Sequence, residues 1–164
     1  MENMNELIAA IETMDPEAVA SAILAFTGFF VVLAAIALIR YLMTAIGYSK
    51  MYRKAGEAGW KAFIPVYNTY NNYKISWNGK FFFLFAALYI AMNLLGNSTD
   101  LRSILAGAAG LGVMILMVKQ NVKMAKLFGK GAGTGIALIF FPGITSLVLG
   151  LGKAEFQANL LENN

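Results

Sequence analysis

"AVASAILAFTGFFVVLAAIALI", from Ala18 to Ile39, carries no charged side chain and lies between Glu17 and Arg40. As an α-helix it is about 33 Å long at 1.5 Å per residue, enough to cross a bilayer core of roughly 30 Å. Three similar charge-free runs follow, between Lys80 and Asp100, between Arg102 and Lys119, and between Lys130 and Lys153. The third run is the shortest, about 24 Å as a helix, but the basic side chains at its ends can extend to the two interfaces and close the gap. Of the 164 residues, 59% are hydrophobic and 13% charged, against about 25% charged in a soluble domain. So few charges cannot cover a water-soluble surface. The sequence predicts an all-α integral membrane protein. Four transmembrane helices are expected near 18–39, 79–97, 102–118 and 135–151, within one domain over 17–156.

The basic residues set the expected orientation. Of 13, seven lie between Arg40 and Lys80 and four between Lys119 and Lys130. With four crossings, the loops at 40–78 and 119–134 share one side, and the positive-inside bias makes that side cytoplasmic. Both termini are then outside. The net charge of +4 reads as topology and as attraction to anionic lipid headgroups. Nucleic acid is not an expected partner, because the basic residues flank membrane spans.

Residues 1–16 form an acidic leader. Met4, Leu7, Ile8, Ile11 and Met14 recur at helical spacing, which predicts an amphipathic helix on the outer surface. Five acids and no basic residue in the first 17 positions are the reverse of a signal peptide's basic n-region. Asp15-Pro16-Glu17 is a helix start, with Asp as cap and Pro at the first position. Tyr67, Tyr70, Tyr73 and Trp77 suit a membrane–water interface. Asn97 to Asp100 read as a turn capping the third span, and residues 157–164 as a short outer tail. Ala106, Gly107, Gly110 and Met114 are expected on one face, where small residues let a neighbouring helix approach. Asn93 is expected to bond between helices. Lys119, Lys123, Lys126 and Lys130 form one helical stripe. Glu57, the sole acid in either basic loop, is expected to pair with Lys54, with Lys61 or with that stripe.

The two basic connections resemble each other. "KMYRKAGEAGWKAFIP" runs from Lys50 to Pro65 and "KLFGKGAGTGIALIFFP" from Lys126 to Pro142. Each has two lysines four apart, then glycines, then an apolar run ending in proline. The alignment places Lys50 on Lys126 and Lys54 on Lys130, with one extra residue before the second proline. This raises two parallel two-helix repeats related by an axis along the membrane normal. In that case residues 58–73 are either re-entrant or interfacial.

The stretch "KAGEAGWKAFIPVYNTYNNYKI" is similar to the signature of a family of small, uncharacterised bacterial membrane proteins, of the form Lys-Ala-Gly-x-x-Gly-Trp-x-Ala-x-Ile-Pro-x-Tyr-Asn. Here Gly56, Gly59, Trp60, Pro65, Tyr67 and Asn68 carry it, with Glu57 in a variable position. "MAKLFGKGAGTGIALIFFP" and "LGLGKAEF", with Gly129, Gly135 and Pro142, resemble the family's second motif. Lys153 departs from it, since that position is commonly Asp. The resemblance covers about Lys50 to Phe156 and implies a bacterial cytoplasmic membrane protein. The domain is similar to one found fused ahead of some signal peptidases. The family brings no activity with it.

Catalytic chemistry is not visible. The sequence has no Cys and no His, which excludes disulfides and thiolate or imidazole metal sites. No Asp, Glu, Lys or Arg lies within any of the four charge-free runs, and "GKGAGTG" does not fit a phosphate-binding loop. Neither an enzyme nor a cofactor is expected. The first expectation is a non-enzymatic accessory or scaffold subunit of a bacterial membrane complex. It would meet lipid, a protein partner or another copy through a basic face of Lys50, Arg53, Lys54, Lys61 and the lysine stripe. The alternative is a small, oligomeric transporter or channel with a path near Pro65, Asn68 and Pro142.

Overall fold

The computed structural model describes residue 4 and residues 15–95 and 101–160. Every element among them is helical. They are α1 (Pro16–Lys54), a 3₁₀ turn (Gly59–Phe63), α2 (Pro65–Ser76), α3 (Lys80–Leu95), α4 (Leu101–Leu127), α5 (Ala132–Phe140), α6 (Pro142–Leu151) and a final 3₁₀ turn (Ala158–Leu160). The expected N-terminal amphipathic helix and the turn at Asn97 to Asp100 lie outside the described residues. α1 and α4 are long and apolar enough to cross a membrane, whereas α3 and α6 are apolar but shorter.

The chain divides into two compact units, residues 1–40 and 41–164. In the first, α1 begins where Asp15 predicts. The Glu17 amide donates to Asp15 Oδ1 at 3.1 Å, and the Val19 amide to the Asp15 carbonyl at 3.0 Å. The residues that follow are apolar and exposed, among them Leu24 at 73% and Phe26 at 68%.

In the second unit, α3 and α4 form an antiparallel pair. A Cβ on Gly112 would meet Leu88 Cδ1 at 2.9 Å, and one on Gly110 would meet Met92 Sδ at 3.2 Å. Ala106 and Ala109 are buried beside them, but Gly107 faces open space and Met114 is exposed. Of the four residues expected on one packing face, Ala106 is buried and Gly110 lies against Met92, whereas Gly107 and Met114 face away. Asn93 also departs from expectation. Its Nδ2 donates to the Tyr89 carbonyl of its own helix at 2.8 Å, a bond made within the turn and not to a second helix.

The fourth expected span, 135–151, is not one helix. Pro142 has no N–H to continue α5. The Phe141 amide caps α5 on Ala137 at 2.8 Å, and α6 starts afresh. The bend is sharp enough for Thr145 Oγ1 to donate to the Ala137 carbonyl at 3.1 Å, eight residues back. α6 then returns toward the end from which α5 left. The Gln157 amide donates to the Leu127 carbonyl at 2.8 Å, and Phe156 meets Phe128 edge-on at 5.7 Å. α5 and α6 thus form a hairpin whose two ends lie beside the C-terminus of α4.

Residues 59–76 form a second hairpin of the same kind. Pro65 is its tip, and α2 runs back along α3. Tyr70 meets Phe82 at 5.5 Å and Tyr73 meets Phe85 at 5.5 Å. Pro65, Val66 and Thr69 share a groove with Ala86, Tyr89 and Ile90.

The two connections share a local geometry, in a register different from the lysine alignment. α1 and α4 each end on a glycine in the left-handed region, Gly56 (φ 78°) and Gly129 (φ 67°), as helices commonly do. At both ends the next amide reaches back five residues: Glu57 to the Tyr52 carbonyl at 2.8 Å and Lys130 to the Ala125 carbonyl at 2.9 Å. The glycine that opens each hairpin then packs on its own long helix. A Cβ on Gly59 would meet Ser49 Oγ at 2.6 Å, and one on Gly135 would meet Val122 Cα at 2.5 Å. Gly56 and Gly129, Tyr52 and Ala125, and Ser49 and Val122 are thus equivalent pairs with one constant spacing along the chain. From the left-handed glycine to the hairpin glycine, the second connection is three residues longer than the first. Lys54 precedes the first helix end and Lys130 follows the second, so these two lysines are not equivalent.

Candidate functional site

The two hairpins face a common cavity of about 270 Å³. α2 contributes Thr69, Asn72 and Tyr73, and the second hairpin contributes Leu138, Ile139 and Pro142. α4 adds Met117, Gln120 and Asn121, while Tyr48 of α1 and Phe85 of α3 complete the wall. Helices from both halves thus converge where the proline breaks bring short elements together. The lining mixes amides and hydroxyls with hydrocarbon and contains no charged side chain.

Its polar groups are unevenly satisfied. Thr69 Oγ1 donates to the Pro65 carbonyl at 3.0 Å, and Asn121 Nδ2 to the Met117 carbonyl at 2.9 Å. Tyr52 Oη stands behind α2, 2.8 Å from the Asn68 carbonyl and 3.0 Å from Asn72 Oδ1, and bonded to Asn68 Oδ1. A hydroxyl has one proton, so it donates to one of these oxygens, and a turned Asn72 amide serves its lone pair. Tyr73 Oη and Gln120 Nε2, by contrast, are buried without a partner among the described residues, as is the side chain of Asn71. Buried polar groups are rarely left so.

The basic residues are used differently from one another. Lys54 is withdrawn from the surface. Its Nζ donates to the carbonyls of Leu149 (2.8 Å), Gly152 (2.7 Å) and Ala154 (2.8 Å), so it caps the C-terminus of α6, where cations are favoured. Glu57 bridges Lys61 Nζ at 2.6 Å and Lys74 Nζ at 2.5 Å. These two hydrogen bonds hold its carboxyl below the usual range, Lys61 contributing most. The same bond to Glu57 raises Lys74. Of the partners expected for Glu57, Lys61 is the one it meets, and Lys54 is held by the α6 carbonyls instead. Lys123 lies over the Trp77 ring, 4.6 Å from its centre, and is lowered by burial and then by Lys119 and Lys126. Lys50, Arg53, Lys119, Lys126 and Lys130 are exposed.

Of the motif residues, Gly56 and Gly129 end helices, Gly59 and Gly135 let the hairpins approach, and Pro65 and Pro142 form the tips. Trp60 is 55% exposed and meets Tyr67 at 5.6 Å. The tips are apolar and exposed on both sides: Phe63, Ile64 and Val66 on one, Phe140, Phe141 and Ile144 on the other. Of Pro65, Asn68 and Pro142, which sequence reading places near one path, Pro142 lines this cavity and the other two do not, and the reading misses Tyr73, Gln120 and Asn121 as parts of one wall. The signal is present. Gln120 and Asn121 sit inside the lysine stripe yet fall on the other face of the helix, where two adjacent amides are unexpected in an apolar seam.

Residues 60–159 match a family of unknown function, DUF5684. No curated protein and no solved structure matches the chain.

Proposed function

The chain belongs to DUF5684, a family of unknown function, and from the geometry of its hairpins we infer that it is a multi-pass membrane protein that admits a small solute between them. The observation that carries this reading is the uncharged, partly polar cavity at the meeting point of two proline-broken helix pairs. Non-helical backbone at membrane depth is tolerated where protein buries it or where it lines a cavity, and broken helices build the solute sites of many transporters.

Depth arithmetic supports immersion. Pro65 lies alongside Tyr89 and Ile90, nine or ten residues along α3 from Lys80. That is about 14 Å at 1.5 Å per residue. The nine residues of α5 also span about 14 Å. Both tips then sit near the middle of a core of roughly 30 Å, which fits their exposed Phe, Ile and Val side chains. In this arrangement α1, α3 and α4 cross the membrane, the N-terminus is outside, and the C-terminus lies with the lysine-rich connections in the cytoplasm of a bacterial cell. The hydroxyl of Tyr41 donates to the Phe63 carbonyl near the first tip.

This reading moves the small transporter or channel ahead of the accessory subunit. Reconstitution tests it. Proteoliposomes exposed to a panel of neutral, anionic and cationic small solutes should take up at least one class faster than protein-free liposomes, by stopped-flow light scattering. No excess flux for any class would remove the transport reading. The accessory reading retains one specific support, the bare apolar surface of α1 before Arg40, which suits lipid, a partner helix or a second copy. Exposed Lys50, Arg53, Lys126 and Lys130 add attraction to anionic headgroups. Stoichiometric recovery of another membrane protein from mild detergent would favour it.

A further inference from the structure

We propose that Lys119, Lys123 and Lys126, together with Trp77, bind the phosphate headgroup of an anionic phospholipid at the inner interface, with an acyl chain lying along α4. The proposal rests on the membrane reading above but not on solute passage. It assigns one site within a basic surface that otherwise attracts lipid only diffusely.

The three lysines recur at steps of four and three, so they share one side of α4. Lys123 is the middle one. Its Nζ lies 4.6 Å from the centre of the Trp77 ring, and that ring is stacked on Phe81 at 3.6 Å. The indole thus holds the ammonium in place, at the level where Trp side chains collect in a bilayer. Lys123 and Trp77 are half-buried, and Lys119 and Lys126 are exposed. Among the described residues Glu57 pairs with Lys61 and Lys74, and no carboxylate pairs with any of these three lysines. Three like charges are therefore gathered without a counterion. Lys123 registers the strain: burial first, and then Lys119 and Lys126, lower its pKa. A phosphate supplies the opposite charge and the acceptor oxygens that ammonium groups match.

The same side of α4 continues as hydrocarbon. Ile115 and Leu111, four and eight residues before Lys119, are 54% and 63% exposed. They extend the stripe about 12 Å toward the bilayer centre at 1.5 Å per residue. Cations at the interface followed by apolar side chains match a phospholipid from headgroup to chain. A soluble phosphate ester would leave the apolar half unused.

Local lipid preference tests the site. The chain has two tryptophans, so the full chain carrying Trp60→Phe reports on Trp77 alone. It is reconstituted into phosphatidylcholine vesicles with a rising fraction of lipid brominated near the headgroup end of the acyl chain. One series uses brominated phosphatidylglycerol and the other brominated phosphatidylcholine. Trp77 should prefer phosphatidylglycerol by about tenfold, and Lys119→Gln and Lys126→Gln should each lower that preference about two- to fivefold. Lys50→Gln removes the same charge elsewhere on the basic surface and should leave the preference unchanged. Equal quenching by the two lipids, or an equal loss in Lys50→Gln, would mean diffuse attraction and would overturn the proposal. So would a saturable response of Trp77 to sodium phosphate in detergent without lipid preference, which would assign the patch to a soluble anion. If neither lipid quenches Trp77, the start of α3 lies outside the bilayer and the membrane reading fails with the proposal. Preference for phosphatidylglycerol without solute flux keeps this inference and loses only the transport reading.

Discussion

Replacing Gly135 by alanine should destabilise the protein, whereas the same replacement at Gly107 should stabilise it. Both glycines are helical, so both substitutions gain the roughly 0.5–1 kcal/mol that separates alanine from glycine in a helix. They differ in what the new methyl meets. At Gly135 it would lie 2.5 Å from Val122 Cα, 2.8 Å from Val122 N and 2.9 Å from the Asn121 carbonyl, whereas at Gly107 nothing lies within 4 Å. Carbon atoms rest at about 3.5–4.0 Å, so α5 must withdraw from α4 by about 1 Å. The neighbouring atoms are backbone and cannot swing aside. Overpacking of this kind costs about 1–3 kcal/mol. Subtracting the two variants cancels the propensity gain and leaves the clash, a difference of about 1–3 kcal/mol. Unfolding in mixed micelles, followed by helical circular dichroism against a rising SDS fraction, measures both. If Gly135→Ala were as stable as Gly107→Ala, the close approach of α5 to α4 would be wrong, and the second hairpin with it.

Lys54→Met removes three hydrogen bonds from the end of α6 and should cost about 1.5–3 kcal/mol in the same assay, with faster proteolysis after Leu151 and partial recovery in Lys54→Arg. Glu57 has a lowered pKa, so its contribution is complete above its unfolded value of about 4.3 and is lost as pH falls through the folded one. Glu57→Gln should therefore flatten the acid limb of stability, and an unchanged limb would assign it to other groups. In a Trp77→Phe background, Trp60 fluorescence should be quenched more by lipids brominated deep in the acyl chain than Trp77 is in Trp60→Phe; equal quenching would put the first hairpin at the interface. A reporter fused after Asn164 should report cytoplasmic, and a periplasmic signal would restore the fourth crossing.

What the sequence made legible was composition and punctuation. Charge-free runs located α1, α3 and α4, Asp15-Pro16-Glu17 marked the start of α1, and Pro65 and Pro142 marked breaks. Run length misled between Lys130 and Lys153, because hydrophobicity cannot tell one long helix from two halves folded on a proline. The lysine alignment misled for a related reason. Charged side chains are conspicuous in sequence, but the equivalence rests on left-handed Gly56 and Gly129, whose spacing is set by the backbone. The cavity wall was the least legible part. Tyr73 and Gln120 lie far apart in sequence, and Tyr73 alone reads as an interfacial residue.

The grip of Lys54 bears on how the protein is made. The residues it holds, Leu149, Gly152 and Ala154, leave the ribosome 95 to 100 positions after it. The first long helix and its hairpin can assemble early from near neighbours, yet this ammonium waits for carbonyls that are made long after it. Docking of the last hairpin is thus a late event, and a nascent chain stalled before Leu149 carries an unsatisfied lysine where the finished protein has a clasp.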